Sequence, residues 1–421
     1  MNSILFTPLT LPNGEVISNR ICKAAMEENL SGNQQIPGDD LLSLYKNWSI
    51  GGAGLLLSGN VMISPDAMTG PGGVVLENAN HLDHFRKWAA AGTYNGNHFW
   101  MQINHPGRQV YAAMGEQALA PSAISLDIPG FSKLFGQAIS ISENQILDII
   151  ERFATTASLA EQAGFSGVQI HAAHGYLLSQ FLSPLVNKRD DQWGGSLENR
   201  ARIVFEVVKA VKAKVSQSFC LSIKLNSADF QKGGFSLDDA KWLVEQLNEY
   251  QLDLVELSGG SYESPAMSGN ASENISVGTT ARREAYFLDF AKQVSQVATM
   301  PIMLTGGITK RAVAEHALSF NEEFKTSIDM LGIARAMAYQ PDLAKQWQRG
   351  KHLEIELPEV NWKNKTLGAL ANMSMTKAQL CRMAKGKPPK PNMLPLWALI
   401  VGQIKTKLRT KKYRKWRKEN Q

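Results

Sequence analysis

The chain has 421 residues, of which 44% are hydrophobic and 19% charged, and this composition supplies enough apolar side chains for one large core. Three widely separated cysteines, Cys22, Cys220 and Cys381, exclude a local disulfide framework and a Cys-x-x-Cys metal or cluster site. The first residues lack the features of a signal peptide, and no apolar run is long enough to span a bilayer. We therefore expect a cytoplasmic protein that does not cross a membrane.

The formal net charge of +6 is concentrated at one end of the chain. Residues 405–421 hold nine lysines and arginines and one acid, so 35 basic and 37 acidic side chains remain elsewhere. A body that is nearly neutral does not favour nucleic acid as a partner.

From residue 20 onward, short apolar runs alternate with longer segments of helical periodicity, which is typical of βα units around a parallel sheet. A hairpin is predicted before them, because Leu9–Ile17 contains the turn pair Asn13-Gly14. The predicted strands are Arg20–Met26, Gly54–Asn60, His98–Ile103, Gly167–His171, Phe219–Leu225, Leu252–Leu257, Pro301–Thr305 and Ser327–Ile333. The predicted helices are Asp39–Ser49, Asn80–Ala91, Glu143–Ala163, Leu197–Val215, Leu237–Tyr250, Ala285–Ser295 and Thr309–Ala317, with an eighth beginning at Pro341.

Eight strands alternating with eight helices predict an α/β protein, a (β/α)8 TIM barrel over residues 1–350 whose bottom is plugged by the hairpin. An open doubly wound sheet is the competing architecture. The βα rhythm stops near residue 350, so residues 351–421 are predicted to be a C-terminal extension, with a stiff linker at Gly386–Pro391.

The end of the extension combines the apolar run Met393–Ile404 with the basic residues 405–421. We favour a solvated or packing helix over contact of 393–421 with a membrane surface, and nucleic-acid binding is the third hypothesis. The oligomeric state is left open.

The most informative motif is His171-Ala172-Ala173-His174-Gly175-Tyr176, which directly follows a predicted buried strand. Two imidazoles and a phenol at a strand end supply three donors that can stabilise an oxyanion and protonate a carbon, so His171, His174 and Tyr176 are the candidate catalytic residues. A metal site would need a third ligand that this segment lacks, so no metal is predicted, and core histidines are the alternative without function.

A phosphate site is predicted where the seventh and eighth strands end. Gly306 and Gly307 let backbone N–H groups approach an anion, and Gly332-Ile333-Ala334-Arg335 adds a guanidinium on the neighbouring strand. A tight turn alone would also explain the glycine pair.

The motif continues into Asn187-Lys188-Arg189-Asp190-Asp191-Gln192-Trp193-Gly194-Gly195-Ser196, and residues 171–202 resemble the old yellow enzyme family of FMN-dependent oxidoreductases. The resemblance implies FMN across the barrel mouth and NAD(P)H as hydride donor. The flavin positions that it implies are Ala24, Ala25 and Met26 on one side of the ring, Gly59 or Asn60 near it, and Gln102 and Lys224 at its polar edge. The FMN phosphate would then lie at the predicted phosphate site, formed by Gly306, Gly307, Gly332, Ala334 and Arg335.

The resemblance also implies the reaction: reduction of an activated C=C bond in a small-molecule enone or nitro compound, with the histidines on the oxygen and Tyr176 as proton donor. An NADH oxidase or an amine dehydrogenase-like enzyme is the alternative on the same barrel, and a flavin-free binding or scaffold protein acting through its basic tail is the alternative of another class. Glu27 departs from the family pattern, which has Cys or Thr there, so its effect on the flavin potential is left open. Substrate specificity is expected in the loops Gly107–Phe135 and Gly259–Asn274.

Overall fold

Eight parallel strands close into a barrel in this computed structural model, which describes residues 3–128, 130–259, 280–319, 328–351 and 353–420. The strands are β1 (Ile21–Lys23), β2 (Leu55–Leu57), β3 (His98–Asn104), β4 (Gly167–Ala172), β5 (Cys220–Asn226), β6 (Leu254–Ser258), β7 (Ile302–Thr305) and β8 (Met330–Ile333). Each strand pairs with the next along the chain, and β8 pairs with β1. The predicted TIM barrel is confirmed and the open sheet is excluded.

The barrel strands are buried on both faces, as expected for a parallel sheet covered by helices. Most of their side chains are apolar, and the exceptions stand out. Buried polar and charged residues within the strands are Lys23, Gln102, Asn104, Gln169, His171, Ser222, Lys224, Asn226, Glu256 and Ser258. Because burial of a polar group without a partner is costly, these residues mark the part of the barrel interior where a functional site is expected.

The predicted hairpin plugs the bottom of the barrel. Its strands, Leu9–Thr10 and Val16–Ile17, are antiparallel, and Gly14 adopts the positive φ of 91° that the turn requires. Leu9, Leu11 and Ile17 pack against the apolar residues at the amino ends of the barrel strands, among them Trp100. Asn13 ties the turn to the barrel, since its backbone N–H donates to Asp253 at 3.1 Å.

Helices cover the outside of the barrel, with bounds close to the predicted ones. They are α1 (Asp39–Ile50), α2 (Leu82–Gly92), α3 (Glu143–Gln162), α4 (Leu177–Leu182), α5 (Leu197–Lys214), α6 (Leu237–Leu247), α7 (Thr280–Ser295), α8 (Arg311–Leu318), α9 (Arg335–Tyr339), α10 (Leu343–Gln348), α11 (Lys365–Ala384) and α12 (Pro395–Asn420). Helix α3 begins at a capping box formed by Ser142 and Gln145. The predicted specificity loop Gly259–Asn274 lies outside the described residues except for its first residue.

The loops that leave β2 and β3 carry short strands of their own. Val61–Met62 pairs with Val74–Val75 after β2, and Ala118–Ala120 pairs with Ala138–Ser140 after β3. Both loops start at carboxyl ends of strands, so they rise on the side of the barrel where TIM-barrel active sites form.

The extension packs on the barrel. Helix α11 lies against α1 and α9, and its Leu380, Met383 and Ala384 belong to the main hydrophobic core. The predicted linker is held along α11, since Gln379 exchanges two hydrogen bonds with the backbone of Lys390. Helix α12 packs on α11 and on the turn Ala112–Met114, and no helix within the described residues is long and apolar enough to cross a membrane.

Candidate active site

Polar side chains from four adjacent strands form a hydrogen-bonded row inside the barrel. The Gln102 amide on β3 donates to Gln169 on β4 at 2.7 Å, and Gln169 donates to Glu256 on β6 at 2.8 Å. The other oxygen of Glu256 lies 2.7 Å from Lys224 Nζ on β5. Gln102 is the register partner of Gln169, and Lys224 that of Glu256, so the side chains of each pair leave adjacent strands side by side.

The Lys224–Glu256 ion pair is almost completely buried, with exposed fractions of 4% and 0% for the two side chains. A buried charge is tolerated only when it is paired and hydrogen-bonded, and here each side chain is the other's counter-charge. Lys224 is also the register partner of His171. The predicted residues Gln102, Lys224 and His171 are therefore brought to one part of the barrel interior.

His171 is held as a neutral imidazole with a defined tautomer. The backbone N–H of Ala173 donates to its Nδ1 at 3.2 Å, so the ring proton of the neutral form resides on Nε2. Burial, and then the positive charge of Lys224, hold the pKa of His171 well below its ordinary value. Its Nε2–H is thus a donor that stays neutral at physiological pH.

His174 follows β4 in a left-handed backbone conformation, with φ of 61°. Two amides stabilise this turn: the His174 N–H donates to Asn226 Oδ1 at 3.1 Å, and Gln109 Nε2 donates to the His174 carbonyl at 2.8 Å. Its Nε2 lies 2.9 Å from the Ser258 hydroxyl on β6. Burial, Lys224 and His171 together hold the pKa of His174 well below its ordinary value, so this ring is neutral too.

The three predicted catalytic side chains are clustered. The rings of His171 and His174 have centroids 5.1 Å apart, and Tyr176 packs edge-on against His171 with centroids 4.8 Å apart. Tyr176 is 6% exposed and directly precedes α4. The motif thus presents two neutral imidazoles and a phenol as one group.

Gly59 and Asn60 lie beside an unpredicted buried cluster under the loop after β2. Glu28 accepts hydrogen bonds from the Gly59 N–H at 3.1 Å and from the Tyr45 hydroxyl, while Lys23 donates to Tyr45 at 3.0 Å. Burial lowers the pKa of Lys23 to about 8. A Cβ at Gly59 would come within 1.9 Å of Glu28, so packing alone demands glycine there, and its place beside a flavin stays a prediction.

Ala24, Ala25 and Met26 follow the carboxyl end of β1 as predicted. Ala24 is buried, whereas Ala25 and Met26 are half-buried.

The predicted phosphate residues lie together at the ends of β7 and β8. Thr305 is the register partner of Gly332, and a Cβ at Gly332 would come within 1.8 Å of the Thr305 hydroxyl. That buried hydroxyl finds no hydrogen-bond partner among the described residues. Gly307 is exposed, and the half-buried Arg335 has the Glu359 carboxylate in its electrostatic surroundings. A buried hydroxyl without a partner and a guanidinium at neighbouring strand ends fit a phosphate group.

Glu27 is paired with the C-terminal extension. Lys377 on α11 lies 3.0 Å from its carboxylate, and the Thr69 hydroxyl donates to it at 2.5 Å. Burial alone would raise the pKa of Glu27, but the ammonium of Lys377 and these hydrogen bonds outweigh it and hold the pKa below its ordinary value. The charge state that the sequence left open is therefore the ionised one.

Sequence reasoning missed the partners of the predicted residues: Gln169, Ser258, Glu256 and Lys377. A glutamate inside the apolar run Leu252–Leu257 was a usable signal, because an acid in a buried strand requires a counter-charge. The sequence held no comparable signal for Lys377, since it lies 350 residues from its partner Glu27.

Comparison with known proteins decides the family. Residues 4–354 match the model of the NADH:flavin oxidoreductase / NADH oxidase family. The chain belongs to this family. Among its relatives, the NADH-dependent flavin oxidoreductase nadA of Aspergillus parasiticus is 37% identical over 341 residues, which cover 80% of this chain and 74% of the relative.

Two solved structures agree with the barrel. Morphinone reductase aligns with a TM-score of 0.67 at 25% identity, covering 85% of this chain and 92% of that one. An old yellow enzyme homologue from Zymomonas mobilis aligns with a TM-score of 0.69 over 83% of this chain and 94% of that one, at 21% identity, and shows the fold.

The predicted old yellow enzyme family, its FMN and NADH cofactors and its oxidoreductase class are confirmed by family membership. The described residues fit FMN, because they offer a guanidinium and an unpartnered hydroxyl for a phosphate, and a buried lysine and amide inside the barrel. No group of three or more metal-binding side chains occurs in the described part of the chain.

Proposed function

We propose that this flavoenzyme reduces an activated C=C bond of a small-molecule enone or nitro compound with hydride taken from NADH. The observation that carries the proposal is the cluster of neutral His171 and His174 with Tyr176. FMN would supply the two-electron chemistry, accepting a hydride from the nicotinamide and returning it to the acceptor.

In this proposal Gln102 and Lys224 hold the polar edge of the flavin, and Arg335 with Gly306 and Gly307 holds its phosphate. Lys224 is suited to an edge that gains negative charge on reduction, because Glu256 fixes its ammonium at 2.7 Å and burial excludes competing water. The half-buried Arg335 offers the phosphate a guanidinium that can form two charge-assisted hydrogen bonds.

His171 and His174 hold the activating oxygen of the acceptor. His171 donates from Nε2, since Nδ1 is occupied by the Ala173 N–H. Ser258 acts as a positioning residue for His174: when its hydroxyl donates to Nε2, the remaining proton resides on Nδ1 and is available to the acceptor. Two neutral donors stabilise the negative charge that grows on that oxygen without themselves losing a proton.

Tyr176 delivers the proton to the α-carbon. Its phenol packs against the His171 ring and is 6% exposed, so bulk water has little access to the same position. A positioned general acid typically contributes about 10²- to 10⁴-fold to a proton-transfer step.

Tyr176→Phe tests the proposal. The variant should be reduced by NADH at the wild-type rate in anaerobic stopped flow, while its reoxidation by an enone slows about 10²- to 10⁴-fold. Tyr94→Phe, at a side chain that is 59% exposed, is the matched control. Equal slowing of both half-reactions, or wild-type reoxidation of Tyr176→Phe, contradicts the proposal. Turnover with dioxygen but with no enone or nitro acceptor would instead assign an NADH oxidase.

A further inference from the structure

The outer face of α12 exposes a stripe of large apolar side chains. Trp397, Ile400, Ile404 and Leu408 recur at steps of three and four residues, so they lie on one side of the helix, with exposed fractions of 62%, 46%, 56% and 58%. Leu394, just before the helix, is 73% exposed. A contiguous apolar surface of this kind on a folded protein marks an interaction site.

The same stripe continues into cations. Lys411 and Lys415 follow Leu408 at the next steps of three and four, and both are exposed. Lys405, Lys407 and Lys412 are exposed beside the stripe. Glu419 is the one acid among residues 405–421. The outward surface of α12 is therefore apolar over its first half and strongly cationic over its second half.

The opposite face of α12 is anchored, so the stripe cannot fold back onto the barrel without breaking those contacts. Tyr413 is completely buried, and its hydroxyl donates to the Pro65 carbonyl at 2.7 Å. Arg417 donates to the Gly115 carbonyl at 3.1 Å and forms an ion pair with Asp66 at 2.8 Å. The anchored face thus fixes the stripe toward solvent.

We infer that this face of α12 docks on an anionic lipid bilayer. The apolar side chains would enter the headgroup region, and the lysines would pair with lipid phosphates. Helices that lie in a membrane interface bind in this way. The helix is not apolar enough to cross the bilayer. The inference does not depend on the proposed reaction.

Charge argues against the other occupants. A second copy would bring two strongly cationic faces together, and like charges repel. Nucleic acid would neutralise the lysines but leave Trp397 and the isoleucines against a polar, hydrated backbone. An anionic bilayer can bury the apolar first half of this face and pair with the cations of its second half.

Docking would also orient the enzyme. Helix α12 is anchored at Pro65, Asp66 and Gly115, in the loops that leave the carboxyl ends of β2 and β3. The mouth of the barrel is formed at these ends of the strands. The bound enzyme would therefore hold its mouth side near the membrane, where apolar acceptors dissolve.

Vesicle flotation of the full-length holoenzyme tests the inference. The enzyme should float with vesicles that contain phosphatidylglycerol, remain behind with pure phosphatidylcholine, and be released near 0.5 M NaCl, where screening is confined to about a few ångström. Lys407→Gln/Lys411→Gln should weaken binding about 25-fold, at about fivefold for each charge removed. Ile404→Ser/Leu408→Ser should abolish flotation.

Two matched controls lie elsewhere on the surface. Leu147→Ser removes an apolar side chain that is 52% exposed on α3, and Lys87→Gln removes an exposed lysine on α2, and neither should change flotation. Brominated lipids should quench the part of the wild-type tryptophan fluorescence that comes from Trp397. This quenching should be absent in Trp397→Phe. Flavin content verifies that every variant is folded.

Three results would overturn the inference. The first is wild-type enzyme that does not float with anionic vesicles, or floats as well after the stripe substitutions. The second is a dimer that dissociates in Ile404→Ser/Leu408→Ser while no variant binds vesicles. The third is tight binding to duplex DNA that depends on the lysines while vesicles bind nothing.

Discussion

Glu256 shows how one side chain can hold a candidate site together. Its two carboxylate oxygens connect Lys224 and Gln169, so it neutralises a buried cation and fixes the amide row that reaches Gln102. Glu256→Gln keeps the size and a hydrogen bond to Gln169 but leaves the lysine without a counter-charge. Because an unpaired buried charge is strongly unfavourable, we predict a loss of about 3–5 kcal/mol in the free energy of unfolding, measured by urea denaturation.

A double variant separates charge from packing. Lys224→Met/Glu256→Gln removes the unpaired cation and should recover most of the stability lost in Glu256→Gln. Glu245→Gln, at an exposed position on α6, should be neutral. A Glu256→Gln protein as stable as the wild type would show that water reaches Lys224 and that the pair is not buried in solution.

Individual site residues were predictable to different extents. His171, His174 and Tyr176 were found because three donors within six residues at a strand end have few structural explanations. Lys224 was proposed from the resemblance to the old yellow enzyme family, and its place inside an apolar strand argued against a surface lysine. The partners could not be found in the same way: Ser258 meets His174 only once the strand register is set, and Lys377 meets Glu27 only once α11 lies on the barrel.

At the scale of elements, α12 is fastened to the barrel by a buried carboxyl group. Glu116 accepts a hydrogen bond from the Met68 N–H at 2.9 Å and contacts the Tyr413 hydroxyl. Burial raises the pKa of Glu116 to about 8. A protonated Glu116 can donate to the phenol oxygen of Tyr413, which leaves the phenol proton for the Pro65 carbonyl. The protonated acid therefore suits the docked helix.

The raised pKa gives α12 a pH dependence with a definite sign. Detached, Glu116 would ionise near its ordinary value of 4.5, so its contribution to docking is complete below that pH and is lost as pH rises through about 8. We predict that deuterium uptake by peptides of α12 increases from about pH 6 to about pH 9 beyond the intrinsic rate in the wild type, and does not in Glu116→Gln. Equal pH dependence in both proteins would show that this carboxyl group is ionised while docked.

The whole barrel was the most predictable level, because the pattern repeats. A single short apolar run does not identify a strand with certainty. Eight such runs that alternate with helices, however, are compatible with few architectures. The hairpin plug was predictable from a local signal, the pair Asn13-Gly14. The placement of the extension was not, because composition shows that βα units end near residue 350 but contains no information on which barrel helices α11 covers.

The two halves of the extension contribute unequally to the whole molecule. On α11, Leu380 and Met383 are each 1% exposed within the main core, and a fully buried Leu or Met contributes about 1.5–3 kcal/mol. Helix α12 buries Ala398 and Tyr413 and leaves five of its ten apolar residues exposed. Stability should therefore depend on α11 far more than on α12.

Two truncations measure this difference. Deleting residues 395–421 should leave a monodisperse protein that retains flavin and melts a few degrees lower. Deleting residues 359–421 uncovers the faces of α1 and α9 that α11 covers, and should produce a protein that binds a hydrophobic dye and aggregates on size-exclusion chromatography. If the protein that lacks residues 359–421 instead keeps the wild-type melting temperature and flavin content, the barrel core is complete without α11.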